Sequence, residues 1–100
     1  MLNDAKALLV MVYVHEARVN AVLDYLYKHE IAGATGFRAF AGFGMHHRMH
    51  NSRLVELSGD LPAVVSFCDV PARVNPVLPE LSRIAGGGLI TTHEVNVYHP

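Results

Sequence analysis

Charge is scarce in this sequence. Asp, Glu, Lys and Arg make up 17% of its 100 residues, where about a quarter is usual for soluble domains. Eight Lys plus Arg against nine Asp plus Glu leave a formal charge of −1. That near-neutrality excludes a polybasic protein that holds nucleic acid or anionic membrane through its net field. Cysteine is nearly absent too. Cys68 stands alone, so no intrachain disulfide can form, and a reducing cytoplasm is the expected compartment. Long hydrophobic runs are missing: the longest is Ala7 to Val14, far below the ~20 residues of a membrane-spanning helix. Membrane insertion is not expected. Nor is a signal peptide, because Asp4 offsets Lys6 and no small-residue cleavage site follows.

What is plentiful is apolar surface, since 51% of the residues are hydrophobic. A chain this short accommodates a single domain, residues 1–100, and cannot easily bury so much alone. Self-association is therefore expected.

Ala7 to Val14 is rich in β-branched residues and apolar on both faces, which predicts a strand buried on both sides. Arg18 to Glu30 places Val19, Val22, Leu23 and Leu26 on one helical stripe, with Gly33 available for the left-handed residue that ends the element. Asp24 and Lys28 add an i, i+4 pair worth about 0.3 kcal/mol. Thr35 to Phe43 alternates as a second, more polar strand. Pro62 to Asp69 is a third, central one. A helix from Pro71 carries Val74, Val77, Leu78, Leu81 and Ile84, and Pro76 and Pro79 predict a kink or two short pieces. Gly86 to Gly88 stops it, and Leu89 to Tyr98 is the last strand.

The order βαββαβ predicts an α+β, ferredoxin-like fold: a four-stranded antiparallel sheet with both helices on one face. Strands one and three should be central, two and four at the edges. The first strand is apolar on the face that helices do not cover, so that face needs a partner.

No acidic residue occurs between Glu30 and Glu56. Arg38, Arg48 and Arg53 make that interval +3, which leaves −4 for the rest of a chain whose total is −1. Guanidinium matches phosphate and carboxylate in a two-pronged geometry, so the interval is a candidate anion site; a solvated loop whose arginines find acids elsewhere in the fold is the alternative. His46, His47 and His50 form a second candidate cluster, suited to a divalent metal such as zinc, nickel or copper. Cys68 lies in an apolar strand, where cysteine usually serves as a small hydrophobe. No catalytic arrangement is legible, and the chain is not expected to be an enzyme. RNA recognition would want bases interleaved with aromatics, and the third strand offers Phe67 alone.

Several segments carry a resemblance. Ile31 to Gly36, Gly42-Phe43-Gly44, His50 with Arg53 and Leu54, Asp60-Leu61-Pro62, Leu78 to Leu81, and Gly88 to Thr91 resemble the prokaryotic domain of unknown function 190 family. That family is in turn similar to the PII signalling proteins. The resemblance implies a homotrimer that binds an adenine nucleotide between subunits and regulates a partner protein, such as a membrane transporter, through a loop at residues 45–59. It implies Gly33, Thr35 and Arg38 as cleft wall and Gly42, Phe43 and Gly44 as loop hinge. Arg48 and Arg53 would be anion clamps, and Gly86, Gly87 and Gly88 a phosphate-binding turn. Leu89 stands where PII proteins place a lysine, which directs the expectation toward AMP, ADP or cyclic AMP. The alternative is a metal-tolerance protein resembling the trimeric CutA group, binding metal through His46, His47 and His50.

Overall fold

A computed structural model describes residues 5–43, 49–51 and 62–98. Strand β1 (Ala5–His15) leads through a 3-10 turn, Glu16–Arg18, into helix α1 (Val19–Lys28). Then come β2 (Ala34–Arg38), β3 (Ala41–Phe43), β4 (Met49–Asn51), β5 (Pro62–Asp69), α2 (Pro71–Ile84) and β6 (Ile90–Val97). The main sheet is antiparallel with order β2-β5-β1-β6, so β1 and β5 are central as their apolar sequences require. This is the expected mixed α+β, ferredoxin-like arrangement.

The core forms where the two helical stripes meet one sheet face. Val10 and Val12 of β1, Val65 of β5, Val22 and Leu26 of α1, and Val74 and Leu81 of α2 are fully buried. Each such side chain contributes about 1.5–3 kcal/mol of transfer free energy. Strand parity sends the alternate residues to the other side. Pairing sets Leu9 against Cys68 and His93, and Met11 against Ser66 and Thr91. Phe37 lies opposite Val64, and Val64 opposite Tyr13. Neither helix covers this second face. Leu9, Met11, Val64 and Cys68 are half-buried there, and Tyr13 and Phe37 are exposed.

Three expectations need correction. The strand expected over Thr35 to Phe43 is broken. Its ladder on β5 ends at Arg38 opposite Ala63, followed by one bond from the Ala39 amide to the Pro62 carbonyl (2.9 Å). Pro62 opens β5 and has no N–H to continue the ladder. The chain instead enters a separate two-stranded ribbon, with Ala41, Gly42 and Phe43 paired to Asn51, His50 and Met49.

Of the kink or two short pieces expected at Pro76 and Pro79, the two pieces do not form: the helix from Pro71 is one uninterrupted element. Both prolines are exposed, as are Ala72 and Asn75, the residues whose carbonyls the missing donors would have met. Water can satisfy carbonyls on that side, while the buried stripe Val74, Val77 and Leu81 holds the helix to the sheet.

The left-handed residue ending α1 is Glu30, at φ 61°, not Gly33. The helix stops at Lys28, and the Glu30 and Ile31 amides donate to the Tyr27 and Leu26 carbonyls (3.3 and 3.2 Å). This is a Schellman closure, sealed by burial of both Leu26 and Ile31. Core contact of Ile31 places the left-handed position where the sequence has no glycine. Glu30→Gly is therefore expected to stabilise the fold by about 0.5–1 kcal/mol, read as a higher urea midpoint. A lower midpoint would refute that account of the closure.

Candidate functional site

Antiparallel pairing brings several sequence-distant segments to one end of the sheet. His15, ending β1, lies opposite Pro62, opening β5; Arg38, ending β2, lies opposite Ala63; and Ile90, opening β6, lies opposite Val12. The turn Glu16–Arg18, the C-terminus of α2 and the glycines that follow it gather at this end, and the β3–β4 ribbon leaves from it. Phe40, Phe43 and Leu89 are exposed large apolar residues in these segments.

The glycine turn has defined geometry. Gly86 and Gly87 are both left-handed, at φ 76° and 77°. Their amides donate to the Arg83 and Ser82 carbonyls (3.0 and 3.2 Å), a second Schellman closure, so these two donors belong to the helix end. Gly88 lies against β1: a Cβ there would sit 2.1 Å from the Tyr13 carbonyl oxygen. The Tyr13 amide donates to the Leu89 carbonyl at 2.8 Å, fastening the turn to the central strand.

Two arginines converge here. Arg38 is ion-paired to Glu16, a partner 22 residues away. For Arg38, then, the arginine that finds its acid elsewhere in the fold is the observed arrangement. Arg18 reaches across to α2, where its Nη1 donates to the Ile84 carbonyl (3.1 Å), and its guanidinium lies beside Gly86. Arg18 lies outside the apolar stripe of the first helix. Its partner lies 66 residues away, and no local pattern signals that contact. In the last turns of α2, the Arg83 Nε donates to Glu80 (2.8 Å), and this hydrogen bond holds the Glu80 carboxyl below the usual carboxylate range.

The other expected site residues divide. Gly42 and Phe43 pair with His50 and Met49 in the ribbon that leaves the glycine turn's end of the sheet. Gly33 lies just before β2, at the opposite end, on an open recess of about 480 Å3 lined also by Leu23, Tyr27 and Ile31. Thr35 lies opposite Ser66 on the helix-free face. Gly44, His46, His47, Arg48 and Arg53 lie outside the described residues. His50 pairs by backbone with Gly42 in β4, so residues 49–51 of the expected 45–59 loop are strand. Among the described residues no three His, Cys, Asp or Glu side chains gather to hold a metal.

At that opposite end Asp69 organises the backbone. Its buried carboxylate accepts from the Ala32 and Val70 amides (3.0 and 2.7 Å) and pairs with Arg73 at 3.5 Å. This ties the segment before β2 to the start of α2. Beside Cys68, the aspartate is the residue whose side chain makes these contacts.

The profile of the DUF190 family, described as Uncharacterized ACR, matches residues 8–97. The chain belongs to the DUF190 family. Two proteins related to this DUF190 chain are the UPF0166 protein of Aquifex aeolicus, 35% identical over 69 residues, and UPF0166 protein MJ1524 of Methanocaldococcus jannaschii, 30% identical over 78 residues. The alignments cover 69% and 77% of this chain, and 65% and 71% of those proteins. In fold the DUF190 chain is similar to CPII of Thiomonas intermedia K12, a nitrogen regulatory PII-like protein. The apo form of CPII aligns at TM-score 0.75 and 14% identity over 100% of each chain. The form bound to ADP and bicarbonate aligns at 0.76 and 19%, covering 95% of this chain and 91% of that one. CutA1 from Ehrlichia chaffeensis, a divalent ion tolerance protein, aligns at 0.66 and 13%, covering 89% and 80%. The fold is PII-like. Among the described residues no helix is long and apolar enough to cross a membrane.

Proposed function

We propose that this chain is a non-enzymatic, PII-like regulatory protein whose 1–100 unit binds an adenine nucleotide, AMP, ADP or cyclic AMP, between subunits of a homotrimer. The observation that carries the reading is the PII-like fold, shared at TM-score 0.76 with a CPII chain bound to ADP and bicarbonate, in a chain that presents a bare glycine turn and two arginines at one end of its sheet. The helix-free sheet face would be the trimer contact, since it holds apolar residues that neither helix covers. Gly86 to Gly88 would admit the nucleotide by lacking side chains, with Gly88 fixed against β1. Arg38 would form one wall, Gly33 and Thr35 of the other sheet regions would supply contacts across the assembly, and Arg48 and Arg53 would clamp the anion. Gly42, Phe43 and Gly44 would be the hinge of a signalling loop, residues 45–59, presented to a regulated protein such as a transporter.

A thermal-shift series with AMP, ADP, ATP, cyclic AMP, zinc and copper tests the proposal. A ligand at about a hundred times its Kd stabilises by about 2.7 kcal/mol, which raises the Tm of a domain this size by roughly 10 °C or more. We expect that response from AMP or ADP. A response to metals alone, lost when His46, His47 and His50 are replaced, would favour the metal reading instead.

A further inference from the structure

We propose that Arg18 is an anion-recognising residue of this site, its guanidinium taking the phosphate of the bound nucleotide. The proposal rests on the nucleotide-binding reading above.

Four arginines fall among the described residues: Arg18, Arg38, Arg73 and Arg83. Arg38 is paired with Glu16, Arg73 with Asp69 and Arg83 with Glu80. Arg18 alone among them has no carboxylate partner among the described residues. Its one hydrogen bond there is to the Ile84 carbonyl. A guanidinium has five N–H donors in a planar fork, so a single carbonyl leaves a two-pronged face for an anion. Arg18 is exposed to receive one.

Its position gives that charge a purpose. The Cζ and Nε of Arg18 each lie 2.7 Å from where a Cβ at Gly86 would stand, so residue 86 must be glycine for the arginine to occupy this place. A Cβ at Gly87 would meet nothing within 4 Å, so the next residue of the turn borders open space. The turn by itself is a poor anion site. Its Gly86 and Gly87 amides are engaged by α2, and the C-terminus of a helix carries a partial negative charge that repels phosphate. Arg18 neutralises that pole while retaining donors. The bond to Ile84 also holds the side chain in place before ligand arrives, which reduces the ordering cost of binding.

Calorimetric titration of AMP, ADP and adenosine into the full chain decides the matter, with Arg18→Gln and Arg18→Lys beside the wild type and a thermal melt of each to report folding. Adenosine lacks phosphate and separates recognition of the base from recognition of the anion. We expect wild type to prefer AMP over adenosine, Arg18→Gln to lose about tenfold or more of that preference with adenosine affinity unchanged, and Arg18→Lys to lose a smaller part, because ammonium is a point charge without the fork. If Arg18→Gln does not fold, a wild-type AMP-to-adenosine ratio in Arg18→Lys overturns the assignment, and a reduced one supports it. AMP and ADP binding equal to wild type in Arg18→Gln, with only its melt lowered, would make Arg18 a helix cap and nothing more. Wild type that binds none of the three would instead overturn the nucleotide reading on which the assignment stands.

Discussion

Gly88→Ala is expected to destabilise the protein by about 3 kcal/mol, the upper part of the range for overpacking a site that cannot yield. The new Cβ would sit 2.1 Å from the Tyr13 carbonyl oxygen. That oxygen belongs to the backbone of the central strand β1, and the neighbouring Tyr13 amide is bonded to Leu89, so relief requires the turn to leave the sheet. Gly87→Ala provides a graded comparison. It meets no atom within 4 Å but must hold φ near 77°, a conformational cost of about 1–2 kcal/mol. Urea midpoints should fall for both, further for Gly88→Ala. If the turn shapes a nucleotide site, any AMP response should disappear with Gly88→Ala even at temperatures where the variant remains folded. Equal, small losses in the two variants would mean that contact with β1 does not constrain the turn.

The second large effect is expected on the helix-free sheet face. Leu9→Glu puts a carboxylate midway along β1, where the paired neighbours Cys68 and His93 share that face. In a lone subunit the side chain is half-buried and can reach water, so the cost would be small. In an assembly closed over this face, each copy would bury an unpaired charge at a cost of several kcal/mol. Light scattering should therefore find wild type at about 33 kDa, three times 11.0 kDa, and Leu9→Glu near 11 kDa. Leu9→Glu at the wild-type mass would show that the subunits meet elsewhere.

The regular elements were legible because each repeats a period that burial imposes. Alternation in β1 and β5 separates Val10, Val12 and Val65 from Leu9, Met11 and Cys68, and the helical stripes through Val22 and Leu26 and through Val74, Val77 and Leu81 are the buried ones. What local pattern could not supply were features decided by a distant segment. The break after Arg38 comes from Pro62 at the start of the neighbouring strand. Glu30 occupies the left-handed position because Ile31 reaches the core; Gly33 was the better guess from propensity alone. Pro76 and Pro79 promised an interruption, yet both fall on the exposed side of a helix whose opposite face is anchored.

The same division runs through the site. The glycine run marks Gly86 to Gly88 as a helix stop, and Gly86 and Gly87 take positive φ there; that two of its amides close the helix is not legible from composition. The basic interval drew attention to Arg38, whose carboxylate partner lies in the turn after β1. Arg18 lies outside that interval and reads as an ordinary surface residue, because what distinguishes it is the end of α2 and the glycine beside it. A charge count along the chain finds where cations are dense; it does not find which of them lacks an acid partner among the described residues.

Native mass spectrometry of the full chain with ADP tests the central claim most directly, since one spectrum reports assembly and ligand together. The account predicts a species of about 33 kDa, three times 11.0 kDa, that takes up as many as three ADP molecules, one for each cleft between subunits. A species near 11 kDa that acquires no ADP from solution conditions where the chain is folded would contradict it.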